Sequence, residues 1–77
     1  MPHVIVKLYP GRSEEQKKEL ADTIAKDVVE IAQCEEKFVS VAFEEIDKND
    51  WAERVYKPDI IQKKDTLYKE PGYDPFT

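Results

Sequence analysis

The residue best suited to take part in a reaction is Pro2, which directly follows Met1. Inside a chain, a proline nitrogen is a tertiary amide without a usable lone pair. A small residue after Met1 usually permits its removal, which would free a secondary amine that can act as a base. The ring holds the lone pair with little rotational freedom, so orienting it costs little. The sequence therefore offers a general base at position 2, on the condition that Met1 is removed.

The charge balance narrows the class of ligand. The net charge is −5 and the isoelectric point about 4.8, which argues against nucleic-acid binding because phosphate backbones need a basic face. An anionic small molecule is still allowed, since one well-placed arginine can dominate a small pocket. We find no apolar stretch long enough to span a membrane and no secretion signal. The single free thiol, Cys34, favours a reducing compartment, so we expect a cytoplasmic protein.

The length predicts one domain, residues 1–77, that is too small to be very stable alone. Cys34 is the only cysteine and His3 the only histidine. An internal disulfide is therefore impossible, and one chain cannot build a structural zinc site. We expect no metal, and we expect oligomerisation to supply the missing stability.

Two segments in the first half have clear structural patterns. Apolar and polar residues alternate over His3–Tyr9, which predicts a strand that a Pro-Gly pair ends. Ser13 and Gln16 have the spacing of a capping box, which marks the start of a helix. We expect this helix to run from Glu14 to about Gln33. Its apolar stripe consists of Leu20, Ile24, Val28 and Ile31, widened by three alanines.

The second half contains a strand and a helix. The strand is predicted over Phe38–Ile46, where the small Ser40 and Ala42 leave room beside Phe38, as tight packing or a pocket wall would require. A short helical turn over residues 51–56 precedes a second helix over Pro58–Lys69, because proline suits a first helical position. The order strand, helix, strand predicts an α/β chain, built as a two-layer β-α-β unit with parallel strands and a second C-terminal helix.

A two-stranded sheet covered on one face leaves strand edges and its other face open. We therefore expect a homodimer that completes the sheet. Arg12 follows the far end of the first strand, roughly 25–30 Å of extended chain from Pro2. An antiparallel partner strand would bring the second subunit's Arg12 to Pro2, so that sites would lie between subunits.

Two stretches in this register resemble the 4-oxalocrotonate tautomerase family: Met1-Pro2 followed by a strand, and the run Gly-Arg-Ser-Glu-Glu-Gln-Lys at 11–17. Continuing without a gap, the second strand and Trp51 fall where the family has its second strand and an aromatic active-site residue. The Ser-Val-Ala segment at 40–42 and the Lys-x-Pro-Gly-Tyr ending at Tyr73 are more similar to the longer, bacterial tautomerase A subgroup. The resemblance covers nearly the whole chain.

The resemblance implies an isomerase, a keto–enol tautomerase that needs no cofactor. It implies that Pro2 is the general base, that Arg12 engages the substrate carboxylate, often from a neighbouring subunit, and that Trp51 is an aromatic wall. Ser40 stands where well-studied members have a second arginine. This departure argues against a diacid and favours a monoacid such as phenylenolpyruvate, with its aryl tail on Trp51 or Phe38. A substrate hydrogen bond from Ser40 is as compatible with the sequence as no role at all.

Two other functions stay open at this point. One is a small acidic dimer that binds a partner and catalyses nothing. The other is a hydratase or dehalogenase of the same superfamily, which would need a second acid or base; the nearby candidates are His3, Glu44 and Glu45. Because His3 points to the opposite face of the strand from Pro2, a structural or surface role is expected for it. We expect Tyr73 and Phe76 in the tail to cover an apolar surface or a dimer seam.

Overall fold

Two parallel strands and one long helix form the first part of the chain. In the computed structural model, which describes residues 1–77, strand β1 spans His3–Leu8 and strand β2 spans Ser40–Glu45. Helix α1, Glu14–Ala32, connects them. The strands pair in parallel, so the predicted β-α-β unit is confirmed.

The chain divides into two compact units, residues 1–45 and residues 46–77. We call these the N-terminal and the C-terminal unit. Both strands and helix α1 belong to the N-terminal unit. The C-terminal unit holds the buried hydrophobic side chains of the molecule: Ile46, Val55 and Tyr56.

Helix α1 covers one face of the sheet. Lys17 on its first turns pairs with Glu45 at the end of β2 (Nζ to Oε2, 3.5 Å) and with Glu14 (3.0 Å). The hydrogen bond to Glu14, together with the charges of both carboxylates, raises the pKa of Lys17 despite partial desolvation. Because side chains alternate along a strand, Val41 and Phe43 share the helix side with Glu45, and both are partly buried.

The opposite face of the sheet has a polar rim around a small apolar centre. In the parallel register His3 lies opposite Ser40, Ile5 opposite Ala42 and Lys7 opposite Glu44. Lys7 and Glu44 form an ion pair of 3.8 Å. Ile5 between these pairs is 47% exposed. In the single chain this face therefore leaves an apolar residue exposed to solvent.

Both ends of α1 follow from local chemistry. The Ser13 hydroxyl accepts a hydrogen bond from Gln16 N (3.1 Å), and the Gln16 side chain accepts one from Ser13 N (2.8 Å), which completes the predicted capping box. At the other end Gln33 adopts left-handed backbone angles (φ 56°), and its N–H donates to Val29 O. The helix therefore ends one residue earlier than predicted.

The largest boundary errors concern the second strand and the second helix. Phe38 belongs to a short 3-10 turn, Glu36–Phe38, and β2 starts only at Ser40. The second helix is not at 58–69; it spans Ala52–Ile61, with Pro58 inside it. Gln62 N donates to Lys57 O, five residues earlier, at 3.0 Å, which is the wide spacing of a π-helix.

The position of Pro58 explains the second error. Proline removes an α-helical hydrogen bond, so the sequence favours a helix that begins there. The structure instead starts the helix at Ala52, which brings Val55 and Tyr56 into the core of the C-terminal unit. Burial of these two side chains offsets the bond lost at Pro58. Beyond Ile61 a second 3-10 turn, Lys64–Thr66, takes the place of the predicted helical turns.

No helix is both long and apolar enough to cross a membrane.

Candidate active site

Pro2 is fixed at the start of the sheet by a backbone hydrogen bond. Ser40 N donates to Pro2 O at 3.1 Å, extending the ladder one step before β1 begins. Pro2 is partly buried, whereas Met1 is 93% exposed. The ladder holds Pro2 in place, and Met1 projects into solvent.

Ser40 lies beside Pro2 and is hydrogen-bonded to His3. The His3 Nδ1 and Ser40 Oγ atoms are 2.6 Å apart, and both residues are exposed. Depending on the imidazole tautomer, the hydroxyl donates to the ring or accepts from it. The structural or surface role expected for His3 did not include this pair. The parallel register, which places residue 3 opposite residue 40, is the signal that would have revealed it.

Phe38 lies at the same end of the sheet, two residues before β2. Its ring is 38% exposed, and the Lys37 ammonium lies 5.1 Å from the ring centroid, within the range of a cation–π contact. A partly exposed aromatic ring with an adjacent cation can receive the apolar part of an anionic molecule.

Arg12 lies beyond the other end of β1. Gly11 precedes it with φ of 127°, a conformation that side-chain-bearing residues rarely adopt, so glycine is needed for this turn. The Arg12 guanidinium donates a long hydrogen bond of 3.4 Å to Tyr9 O. A neutral carbonyl does not neutralise the charge, and Arg12 is exposed.

Trp51 belongs to the C-terminal unit and directly precedes the π-helix. Its indole N–H donates to the Tyr73 hydroxyl at 2.8 Å. The indole ring is partly buried, so part of its surface is accessible. The contact with Tyr73, 22 residues further along the chain, could not be read from sequence spacing.

One chain therefore gathers only part of the predicted site. Pro2, Ser40 and Phe38 lie at one end of the sheet, and Arg12 follows the other end. No group of three or more His, Cys, Asp and Glu residues is placed to hold a metal ion. A hydroxyl and an aromatic ring lie at the same end of the sheet as Pro2, whose nitrogen would become an amine only if Met1 were removed.

Comparison with known sequences identifies the family. A family model described as "Tautomerase enzyme" matches residues 2–55. A probable tautomerase of Xylella fastidiosa is 44% identical over 73 residues, covering 95% of this chain and 89% of the relative. Tautomerase PptA of Cronobacter sakazakii is 37% identical over 75 residues, covering 96% of this chain and 99% of the relative.

Solved structures give the same result. The crystal structure of YwhB, a homologue of 4-oxalocrotonate tautomerase, superposes with a TM-score of 0.60 at 36% identity, covering 61% of this chain and 77% of that one. An apo unfused 4-OT superposes with a TM-score of 0.61 at 22% identity, over 64% and 80% of the two chains, and supports the fold alone. The chain therefore belongs to the tautomerase family, with the 4-oxalocrotonate tautomerase fold, and is an isomerase.

Proposed function

We propose that this tautomerase converts an enolpyruvate-type or 2-hydroxy-alkenoate monoacid, such as phenylenolpyruvate, into its 2-oxo acid, with Pro2 as the general base after removal of Met1. The observation that carries the proposal is the placement of Pro2 at the ordered end of β1, hydrogen-bonded through its carbonyl to Ser40 N at 3.1 Å. The ladder orients the ring, so that a freed nitrogen would have a defined direction.

The proposed reaction moves one proton and leaves the composition unchanged. The Pro2 nitrogen accepts the proton of the enol hydroxyl, the carbon–oxygen bond becomes a carbonyl, and the protonated amine then delivers a proton to C3 of the substrate. A base suits this exchange when its pKa lies near the working pH. In the proposed site, partial burial and an Arg12 supplied by a partner subunit would both disfavour the protonated amine. Both would lower the pKa of Pro2 towards that range.

Substrate recognition is proposed to depend on one arginine. Arg12 would come from a partner subunit, because in one chain it follows the opposite end of β1 from Pro2. The hydroxyl of Ser40 cannot replace a second guanidinium as a carboxylate clamp. One cationic contact, with an aromatic surface at Phe38 or at Trp51, suits a monoacid with an aryl tail. Because Arg12 would come from a partner subunit, a homodimer is part of the proposal.

The test compares the wild-type protein with Pro2→Ala in the ketonisation of phenylenolpyruvate. Alanine also permits Met1 removal, so intact mass can show that both proteins are processed. Loss of the ring amine should lower kcat/KM at least about 100-fold, the lower range for a positioned acid–base group. Pro10→Ala, at an exposed proline beyond β1, is the matched control and should keep its activity. Equal rates for wild type and Pro2→Ala would overturn the assignment of the base.

A further inference from the structure

Trp51 is held by the C-terminal tail. Its indole N–H donates to Tyr73 Oη at 2.8 Å. Trp51 is the only tryptophan of the chain, so indole fluorescence reports on this residue alone. A hydrogen bond at the ring edge opposes rotation of the indole about its side-chain bonds.

Tyr73 is itself anchored to the core of the C-terminal unit. The Tyr56 hydroxyl donates to the Tyr73 carbonyl at 2.8 Å, and the two rings lie 5.3 Å apart at 59°. The Phe76 ring meets the Tyr56 ring edge-on at 6.1 Å. Tyr56 is 7% exposed. The tail is thus fixed by a buried phenol on one side and holds the indole on the other.

The tail also folds back on itself. Phe76 N donates to Asp74 Oδ1 at 2.9 Å, and Thr77 Oγ1 donates to Asp74 O at 3.0 Å. These turn contacts keep Phe76 against Tyr56 and shorten the free length of the tail after Tyr73. The Tyr73 hydroxyl therefore presents its acceptor to Trp51 from a constrained segment.

We infer that Tyr73 is a positioning residue for the tautomerase reaction, which holds the Trp51 indole in the one orientation that receives the aryl tail of the substrate. The inference rests on the proposed function, in which Trp51 is the aromatic wall. A ring that is already oriented loses less rotational freedom when the substrate binds, so the tail supplies preorganisation and no chemistry. This preorganisation should strengthen binding of the aryl group and should leave the proton transfer at Pro2 unchanged.

The test is Tyr73→Phe, which keeps the ring packed on Tyr56 and removes only the acceptor for Trp51. KM for phenylenolpyruvate should rise about fivefold, the effect of one lost neutral hydrogen bond, with kcat unchanged. KM for an enolpyruvate without an aryl group should stay as in wild type. Quenching of indole fluorescence by acrylamide should increase in the free protein. Tyr68→Phe is the matched control, because Tyr68 is fully exposed and should change none of these values.

A double-mutant cycle separates positioning from a general structural role. In a Trp51→Phe background the indole donor is absent, so Tyr73→Phe should add no further change in KM. An equal KM effect in that background, an equal effect on both substrates, or unchanged KM and quenching in the single variant would each overturn the inference. If the wild-type protein ketonises neither enol, the proposed function fails, and the quenching comparison still decides whether Tyr73 restrains Trp51.

Discussion

Ser40 and Arg12 lie at opposite ends of the two-stranded sheet, and this separation is the basis of the proposed substrate recognition. Ser40 lies beside Pro2, with its hydroxyl 2.6 Å from His3 Nδ1. Arg12 follows the far end of β1 on a glycine-dependent turn. In the proposed site, Pro2 therefore has a hydroxyl from its own chain beside it, and the cation would come from another chain.

Replacing Arg12 with alanine tests this division of roles. The variant should raise KM for phenylenolpyruvate about 10- to 100-fold, because it removes a charge-assisted contact to the substrate carboxylate. The effect on kcat should be smaller, since Pro2 is untouched. Steady-state kinetics supply both values. Arg54→Ala is the matched control at an exposed arginine of the π-helix; an equal rise in KM for both variants would contradict a specific role for Arg12.

The sequence could predict parts of the candidate site only where the position of residues along the strands was sufficient. The spacing of Pro2 and Arg12, with a strand between them, already showed that one chain cannot join them. The contact of Trp51 with Tyr73 was out of reach, because it depends on how a turn-rich tail of about twenty residues packs, which local sequence patterns do not encode. The hydrogen bond between His3 and Ser40 could have been predicted, because it requires only the correct pairing of the two predicted strands.

At the scale of elements, strong local signals gave correct boundaries and conflicting signals did not. The capping box placed the start of α1 at Glu14, as observed. Pro58 misplaced the second helix, because a rule for helix starts competes here with burial of Val55 and Tyr56, and burial prevails. The π-helical hydrogen-bond spacing around Pro58 cannot be predicted from single residue types.

Tyr56 should make the C-terminal unit sensitive to high pH. Burial raises the pKa of Tyr56, and the negative charge of Asp74 adds to the effect. A raised pKa means that the folded state favours the neutral phenol. The resulting stabilisation is complete below the ordinary tyrosine value of about 10 and is lost as the pH rises through the raised value. The hydrogen bond to Tyr73 O is lost with the proton.

An absorbance titration of tyrosinate can follow this group. The wild-type protein should show one tyrosine that ionises later than the free amino acid, and Tyr56→Phe should remove that late step. Tyr68→Phe, at the fully exposed tyrosine, should leave the late step in place. A late step that survives Tyr56→Phe would show that the buried phenol is not its source.

For the whole molecule, the exposed apolar residues argue for assembly. Ile46, Val55 and Tyr56 are the only buried hydrophobic residues, a small core for 77 residues. On the open face of the sheet Ile5 is 47% exposed between polar pairs. A second copy that covers this face would bury the apolar centre, and it would also supply the Arg12 that the proposed site lacks.

Ile5→Glu should therefore convert the proposed dimer into monomers, and the monomers should be inactive. A buried carboxylate without a partner is costly, so the interface should not tolerate it. Sedimentation velocity gives the oligomeric state, and circular dichroism shows whether the monomer keeps its helix. Gln62→Glu, at an exposed position, adds the same charge elsewhere and should stay dimeric. An Ile5→Glu protein that is dimeric and fully active would contradict an interface on this face.

The Pro2 nitrogen is proposed to work as a base only when Met1 is absent, and every other assignment at the site depends on this condition. The most direct measurement prepares the same chain with Met1 retained and with Met1 removed by purified methionine aminopeptidase, determines the processed fraction by intact mass, and assays ketonisation of phenylenolpyruvate. We predict that activity rises in proportion to the processed fraction and that the Met1-retaining chain is inactive. Equal activity in the two preparations would contradict the role of Pro2 as the base.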